Sequence, residues 1–158
     1  MPNFGYSAEA LHLDKDRTAK ASGRDMRISP KMAREICNTI KGMRLYQAKK
    51  FLEDVILLKQ AVPFRHHMKK QAHRKNLKQF KWPAGRYPIK AASRIYDLLT
   101  SVESNAEFKG LDVETCRIVH SVAHRGRKLK RYMPRAHGRS TPKFKILTHV
   151  EIVLFEES

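Results

Sequence analysis

The chain has 158 residues, with 33 Lys or Arg against 15 Asp or Glu, and a formal net charge of +18 at pH 7. This length fits one domain with appendages, and no apolar run approaches the roughly 20 residues of a membrane span or the apolar core of a signal peptide. The two cysteines, Cys37 and Cys116, have no CxxC partner, so we expect buried thiols in a reducing cytoplasm and neither a disulfide framework nor a zinc ribbon.

Residues 1–28 predict an arm followed by a short strand. Residues 1–19 are polar and mixed in charge, and we expect them to be loosely held. Residues 20–28 predict an edge strand, within which Gly23 marks a bulge or a close approach of other atoms to the backbone. The folded domain is therefore expected to begin at residue 20.

Two amphipathic helices are predicted next. Ser29 and Pro30 predict a helix start, with Ser29 as the N-cap and Pro30 in the first turn. Apolar side chains recur at four-residue spacing as far as residue 40, and Gly42 predicts the end of this helix. The second helix is predicted over about 45–58, where apolar residues again share one face.

Residues 59–87, the basic insertion, break this pattern. Nearly thirty residues without amphipathic periodicity are unusual inside a compact domain and are typically functional or disordered. The aromatic residues among its cations either stack on nucleic-acid bases or fasten the segment to the body, and the sequence favours neither; they are Phe64, Phe80, Trp82 and Tyr87. The candidate phosphate contacts are Arg65, Lys69, Lys70, Arg74, Lys75, Lys78, Lys81 and Arg86.

The third helix is predicted over 88–107, with Gly110 after its end. Two long strands are predicted at 111–123 and 144–155, the second with the alternation of a half-buried strand. The fold class is therefore α+β: three helices packed on a small antiparallel sheet, with a long protruding β-hairpin over 113–155. One domain, 20–156, contains both the hairpin and the basic insertion.

Charge distribution indicates the partner. Residues 55–96 hold eleven Lys or Arg, residues 115–150 hold ten, and neither segment contains Asp or Glu. The other 80 residues carry 12 bases and 15 acids. A surface adapted only for solubility mixes both signs, so two cationic extensions on a nearly neutral body predict nucleic-acid binding.

The hairpin is the most informative element. With its turn placed near Tyr132, it would extend on the order of 50 Å from Cys116. An isolated two-stranded ribbon is marginal in water, and this one repels itself, so we expect it to become rigid only when phosphates surround it. A disordered basic tail is the alternative, but it leaves the bracketing apolar strands unexplained. The cations concerned are Arg125, Arg127, Lys128, Lys130, Arg131, Arg135 and Arg139.

No pattern in the sequence indicates catalysis or a cofactor. His66, His67 and His73 lie among lysines and arginines, a neighbourhood that opposes metal binding by neutral imidazoles. The basic segments lack the acids of a two-metal nuclease, and the GxGxxG, GxxxxGK[ST] and HExxH motifs do not occur. We therefore expect neither an enzyme nor a metal site.

Four segments carry a family resemblance: 27–43, 85–112, 130–142 and 148–156. They closely resemble the universal large-subunit ribosomal protein family called L twenty-two in bacteria and L seventeen in eukaryotes, and the PRAHGR sequence is the most specific part. The resemblance covers about residues 20–156. The VPFR sequence at 62–65 and the basic insertion resemble the archaeal and eukaryotic branch, although 66–83 does not align clearly.

The resemblance implies a protein with three partners: large-subunit rRNA, neighbouring ribosomal proteins and the nascent polypeptide in the exit tunnel. It also implies a role in early subunit assembly. The tip residues that would line the tunnel are Lys130, Arg131, Tyr132 and Met133, with Arg131 and Tyr132 the best candidates for the wall. Behind them, the implied rRNA contacts of the hairpin are Arg125, Arg127, Lys128, Arg135, His137, Arg139 and Lys143.

Two other functions fit parts of the pattern. Architectural DNA-binding proteins also use basic β-ribbon arms, and that function would require dimerisation and tight binding to duplex DNA. An RNA-processing enzyme would need a catalytic constellation that the sequence does not offer. Competition between rRNA fragments and duplex DNA for the protein separates the first alternative from the ribosomal one.

Overall fold

The last strand of the chain is the central strand of the main sheet. The structure, a computed structural model, describes residues 5–157, apart from the side chains of Ala10 and Leu11. Its helices are α1 (Pro30–Ile40), α2 (Leu45–Ile56) and α3 (Ile89–Phe108). Its strands are β1 (Thr18–Met26), β2 (Val62–Pro63), β3 (Gly85–Arg86), β4 (Cys116–Leu129), β5 (Tyr132–Pro134), β6 (Ser140–Pro142) and β7 (Lys145–Glu156).

The main sheet has the order β1-β7-β4 and is antiparallel throughout. Strand β1 pairs with β7 from Thr18 opposite Phe155 to Met26 opposite Thr148. Helix α1 packs on β4, α3 packs on β1, and α2 packs against α3. The α+β prediction with three helices and a small antiparallel sheet is confirmed. No helix within residues 5–157 is long and apolar enough to span a bilayer.

The core forms because the helices bury the apolar stripes that the sequence predicts. Ile36 and Ile40 of α1 meet Ile95 and Leu99 of α3 in one buried cluster with the sheet. Removing an apolar side chain from water contributes about 1.5–3 kcal/mol when burial is complete. Cys37 lies in the same cluster, where burial raises the pKa of its thiol to about 11, so the thiol stays protonated and unreactive.

Two local predictions have different outcomes. The register of β1 against β7 shifts between Gly23 and Met26, which confirms the predicted irregularity at Gly23. A Cβ at Gly23 would lie 2.5 Å from the sulfur of Met26, so a larger residue there would require the flexible Met26 side chain to move. Ser29 is the N-cap and Pro30 lies in the first turn, as predicted, but the predicted side-chain cap is wrong because the Ser29 side chain makes no capping hydrogen bond. The Ser29 carbonyl oxygen accepts the first helical bond, from the backbone N–H of Ala33 at 2.9 Å.

The predicted strand at 111–123 is displaced along the chain. Residues 111–115 form a turn, because the Asp112 carboxylate accepts from the backbone N–H of Glu114 at 3.0 Å and the Thr115 hydroxyl donates to the Asp112 carbonyl at 3.0 Å. Such local side-chain bonds compete with strand pairing. Strand β4 therefore starts at Cys116, and it continues six residues beyond the predicted end.

The prediction of a loosely held N-terminal arm is wrong for the described part of that arm. Ser7 donates its backbone N–H and its hydroxyl to the Glu151 carboxylate, at 3.0 and 2.7 Å. The same hydroxyl lies 2.9 Å from Nε2 of His120, and Ala8 is buried. This clamp, formed by Ser7, His120 and Glu151, holds the start of the chain against the sheet.

The clamp predicts a pH dependence of stability. Burial, followed by the positive charge of Lys41, lowers the pKa of His120 below its ordinary value. The unfolded chain therefore binds the His120 proton more readily than the native chain does, so the free energy of unfolding falls as the pH drops below about 6.5. Below the native pKa of His120 this contribution stops changing.

The measurement is urea denaturation of the nucleic-acid-free protein between pH 7.5 and pH 5. His120→Gln removes the titrating group and should give a flatter pH profile than the wild type. Equal slopes for the two proteins would show that His120 does not contribute.

Candidate nucleic-acid interface

The hairpin leaves the body at the point where its third strand ends. Strand β1 pairs with β7 only as far as Thr148, which lies opposite Arg125 on β4. Residues 125–148, the ribbon, therefore continue as two strands without a neighbour. From Arg125 to the turn at residue 136 the ribbon spans about 35 Å at about 3.3 Å per residue, well beyond a body whose radius of gyration is about 13 Å.

A bulge shapes the root of the ribbon. The pairing of β4 with β7 shifts between Arg125 and Lys128, a device that increases local twist. A Cβ on Gly126 would lie 2.8 Å from Nε2 of His149 and 3.2 Å from Oδ1 of Asp25. Only glycine leaves space for these neighbours. The backbone N–H of Asp25 donates to Nδ1 of His149 at 3.0 Å, which ties β1 to the root.

The chain reverses farther along than predicted. The prediction of a turn near Tyr132 is wrong, because Tyr132 pairs with Pro142 inside a short ladder. Reversal occurs where the backbone N–H of Arg135 donates to the carbonyl of Arg139 at 2.8 Å, and both His137 and Gly138 have left-handed φ values, of 61° and 64°. Gly138 supplies the conformation that this turn requires.

This turn exchanges the positions of two predicted groups. Lys130–Met133 were expected at the very tip, with Arg135, His137 and Arg139 behind them. In the structure Arg135, His137 and Arg139 occupy the terminal turn. Lys130 and Arg131 lie before it in the link between β4 and β5, and Tyr132 and Met133 lie on β5.

The cations of the ribbon point outward and have no counter-charge in the protein. The ribbon carries nine Lys or Arg and no Asp or Glu. Its predicted contact residues are all exposed, and within residues 5–157 none forms an ion pair with a carboxylate. They are Arg125, Arg127, Lys128, Lys130, Arg131, Arg135, His137, Arg139 and Lys143.

An aromatic pair packs across the two strands of the ribbon. Tyr132 and Phe144 meet edge to face with ring centroids 5.7 Å apart, and the Lys128 ammonium lies 4.4 Å from the centre of the Phe144 ring. Edge-to-face pairs contribute about 0.5–1.5 kcal/mol beyond area burial. Tyr132 nevertheless remains 63% exposed and Met133 39% exposed, so both can contact a further surface.

The basic insertion is folded rather than irregular. Strands β2 and β3 pair through Val62 opposite Arg86 and Pro63 opposite Gly85, and a 3₁₀ turn at Lys75–Phe80 buries Leu77. Gly85 is needed for this packing, because a Cβ there would lie 2.5 Å from the Val62 carbonyl oxygen. All eight predicted contact residues of the insertion remain exposed around this small core.

The aromatic side chains of the insertion pack against the protein. Phe80 meets Phe51 of α2 with ring centroids 5.9 Å apart, and Nε1 of Trp82 donates to the Phe64 carbonyl at 2.9 Å. Phe64 itself is buried, and Tyr87 holds the Arg74 guanidinium over its ring at 5.4 Å. Of the two alternatives, fastening to the body describes Phe64 and Phe80, whereas Trp82 and Tyr87 make contacts within the insertion itself.

A buried carboxylate anchors the insertion, and the sequence reasoning missed it. Glu35 of α1 is 1% exposed. Its carboxylate accepts the backbone N–H groups of Arg65, His66 and His67 at 3.0, 3.1 and 2.9 Å. Three consecutive N–H groups form the kind of concave site that binds anions. The signal for the burial of Glu35 was its position on the helix. Glu35 lies three residues after Met32 and four residues before Thr39, and both of these residues are half-buried.

The histidines of the insertion lie in a cationic neighbourhood. Burial, the neighbouring His66 and the cations of α1 lower the pKa of His67, although Glu35 opposes that shift. Within residues 5–157 no cluster of three or more His, Cys, Asp or Glu has the arrangement to hold a metal ion. The interface therefore offers outward cations on two extensions, fastened to the body by internal hydrogen bonds.

Comparison with known proteins gives one consistent result. The family described as Ribosomal protein L22p/L17e matches residues 21–155. Large ribosomal subunit protein uL22 of Archaeoglobus fulgidus is 52% identical over 151 residues, covering 96% of this chain and 94% of the relative. The uL22 protein of Methanocaldococcus jannaschii is 50% identical over 156 residues, covering 99% of each chain. That of Hyperthermus butylicus is 48% identical over 158 residues, again covering 99% of each.

Glu35→Gln should loosen the basic insertion selectively. The amide offers one acceptor oxygen in place of two and places an NH₂ group against a backbone donor. Leaving a buried donor unpaired costs about 1–3 kcal/mol. We expect faster hydrogen exchange at the amides of Arg65, His66 and His67, and a lower free energy of unfolding.

Glu107→Gln is the matched control, because it removes the same charge from an exposed position of α3. Identical exchange rates in the two variants at these three amides would contradict an anchoring role for Glu35.

Proposed function

Because the chain belongs to the ribosomal protein L22p/L17e family, we propose that it is a structural constituent of the cytoplasmic large ribosomal subunit that binds large-subunit rRNA. The archaeal relatives are named as proteins of that subunit, and they cover nearly the whole chain. The role is architectural rather than enzymatic. Large-subunit rRNA and neighbouring ribosomal proteins are its partners.

One observation carries the proposal: a two-stranded ribbon with nine cations and no acid, beside which the described residues form no third strand. Phosphates that neutralise these side chains release condensed counterions, which converts the repulsion within the ribbon into binding free energy. Arginine predominates near the turn, and its planar guanidinium suits bidentate phosphate contacts and stacking on bases. The exposed cations of the basic insertion provide a second surface that binds phosphates in the same way.

We also propose that residues 130–144, the outer ribbon, line the polypeptide exit tunnel. Its reach of about 35 Å beyond the body allows the turn to enter the particle while the nearly neutral body stays at its outer face. Lys130, Arg131, Tyr132 and Met133 are exposed and face the tunnel lumen and the nascent polypeptide. Arg135 and Arg139 of the terminal turn bind rRNA.

Binding through two separate extensions supports a role in assembly. The basic insertion and the ribbon come from different parts of the sequence, and each can bind its own rRNA segment. A protein that holds distant segments together lowers the entropic cost of bringing them into one fold. The same division implies that attachment does not depend on the outer ribbon alone.

Replacing residues 130–144 by an Asn-Gly turn tests this division. Leu129 and Lys145 are paired neighbours, so a two-residue type I′ turn can close the shortened hairpin. The variant keeps the insertion and the root cations, and it should still sediment with the large subunit through a high-salt gradient. Failure of the variant to incorporate would show that the outer ribbon is essential for attachment.

Crosslinking tests the tunnel role separately. A photoreactive group at position 132 should form adducts with nascent chains or tunnel rRNA. The same group at Tyr46, a 72% exposed residue of the body, should give no nascent-chain adduct. A protein found only in the free pool, or one that prefers duplex DNA to rRNA fragments, would refute the ribosomal proposal itself.

A further inference from the structure

We propose that Arg27, Lys31 and Arg34, at the corner between β1 and α1, form a third RNA-phosphate contact. These residues, the α1 ridge, would connect the basic insertion to the root of the ribbon, so that one RNA element follows a continuous cationic surface. The inference rests on the proposed function and deepens it, because it specifies which part of the body the RNA crosses.

The α1 ridge lies directly beside the basic insertion. Glu35 holds the backbone of Arg65, His66 and His67 against the first turns of α1 at 2.9–3.1 Å. Lys31 and Arg34 are exposed on those same turns, four residues and one residue before Glu35 respectively. Their charges act on the imidazole of His67, whose pKa they help to lower. The insertion and α1 therefore present their cations side by side.

The other end of the α1 ridge adjoins the ribbon. The Thr148 hydroxyl donates to the carbonyl of Ile28 at 2.8 Å, and Thr148 is paired with Arg125. Arg27 is the residue before Ile28 and is exposed. It therefore lies next to the position where the two-stranded ribbon begins.

Nearby carboxylates do not neutralise the α1 ridge. The Glu35 carboxylate is buried and occupied by three backbone N–H groups. Asp25 faces His149, with its Oδ1 4.0 Å from Nε2. Within residues 5–157, Arg27, Lys31 and Arg34 form no ion pair with any acid. Their three charges are available to a ligand.

The dimensions suit a nucleic-acid backbone. Lys31 and Arg34 are three residues apart on α1, so they are neighbours on one face of the helix, with a rise of about 4.5 Å between them. One strand of a duplex carries a phosphate about every 3.4 Å along its axis. These two cations can therefore contact phosphates of one RNA strand, and Arg27 extends the charge toward the ribbon.

The first test compares two variants of equal charge in binding to protein-free large-subunit rRNA. Lys31→Gln with Arg34→Gln should reduce the salt slope of log K by about 1–2 and weaken binding on the order of tenfold at 0.1 M salt. Lys15→Gln with Lys50→Gln removes the same charge from exposed positions outside the α1 ridge and should change the slope little. Equal slopes for the two variants would overturn the proposal.

The second test locates the RNA. An iron chelate attached to a cysteine at position 31, 69 or 127 cleaves nearby RNA with hydroxyl radicals, and native Cys37 and Cys116 are buried and unreactive to the reagent. Cleavage from position 31 should fall between the sites cut from positions 69 and 127 in one RNA element. Cleavage from 69 and 127 without cleavage from 31 would overturn only this inference, whereas no binding by the unmodified chain would overturn the proposed function too.

Discussion

Like-charge repulsion in an unsupported ribbon is the constraint on which the rest of the molecule depends. Nine cations lie within residues 125–148, and in the part of the chain that the structure describes no third strand continues beside them. Unit charges 4 Å apart in water repel by about 1 kcal/mol, and salt at physiological strength screens them beyond about 8 Å. A two-stranded ribbon has little apolar burial to offset such terms. The body therefore fixes the root, and we propose that an external polyanion stabilises the rest.

The body meets this requirement by using its carboxylates internally. Glu35 satisfies three backbone donors of the basic insertion, and Glu151 holds Ser7 against the sheet. Asp25 contacts His149 at the root of the ribbon. Acids placed in this way fasten the two extensions without pairing with their cations. The body is therefore a nearly neutral anchor, and the positive charge of the chain remains on the outward surfaces of the two extensions.

The regular elements could be predicted because their signals are local. Helix α1 and strand β7 follow from apolar periodicity, and the irregularity of β1 follows from the glycine within its strand pattern. The folded insertion could not be predicted, since its short strands depend on contacts with Glu35 and with the buried Leu77, neither of which is a local pattern. The docking of Ser7 on Glu151 joins residues 144 positions apart. The turn was misplaced because the ladder that pairs Tyr132 with Pro142 contains two prolines, which resemble breakers in the sequence.

Hydrogen exchange of the nucleic-acid-free protein, compared with the protein bound to large-subunit rRNA, tests the central claim most directly. The account predicts slow exchange at residues 150–154 in both states, and fast exchange at residues 127–143 that becomes slow only when rRNA is bound. Residues 127–143 protected as strongly as 150–154 in the free protein would contradict it, because the ribbon would then be rigid without phosphate.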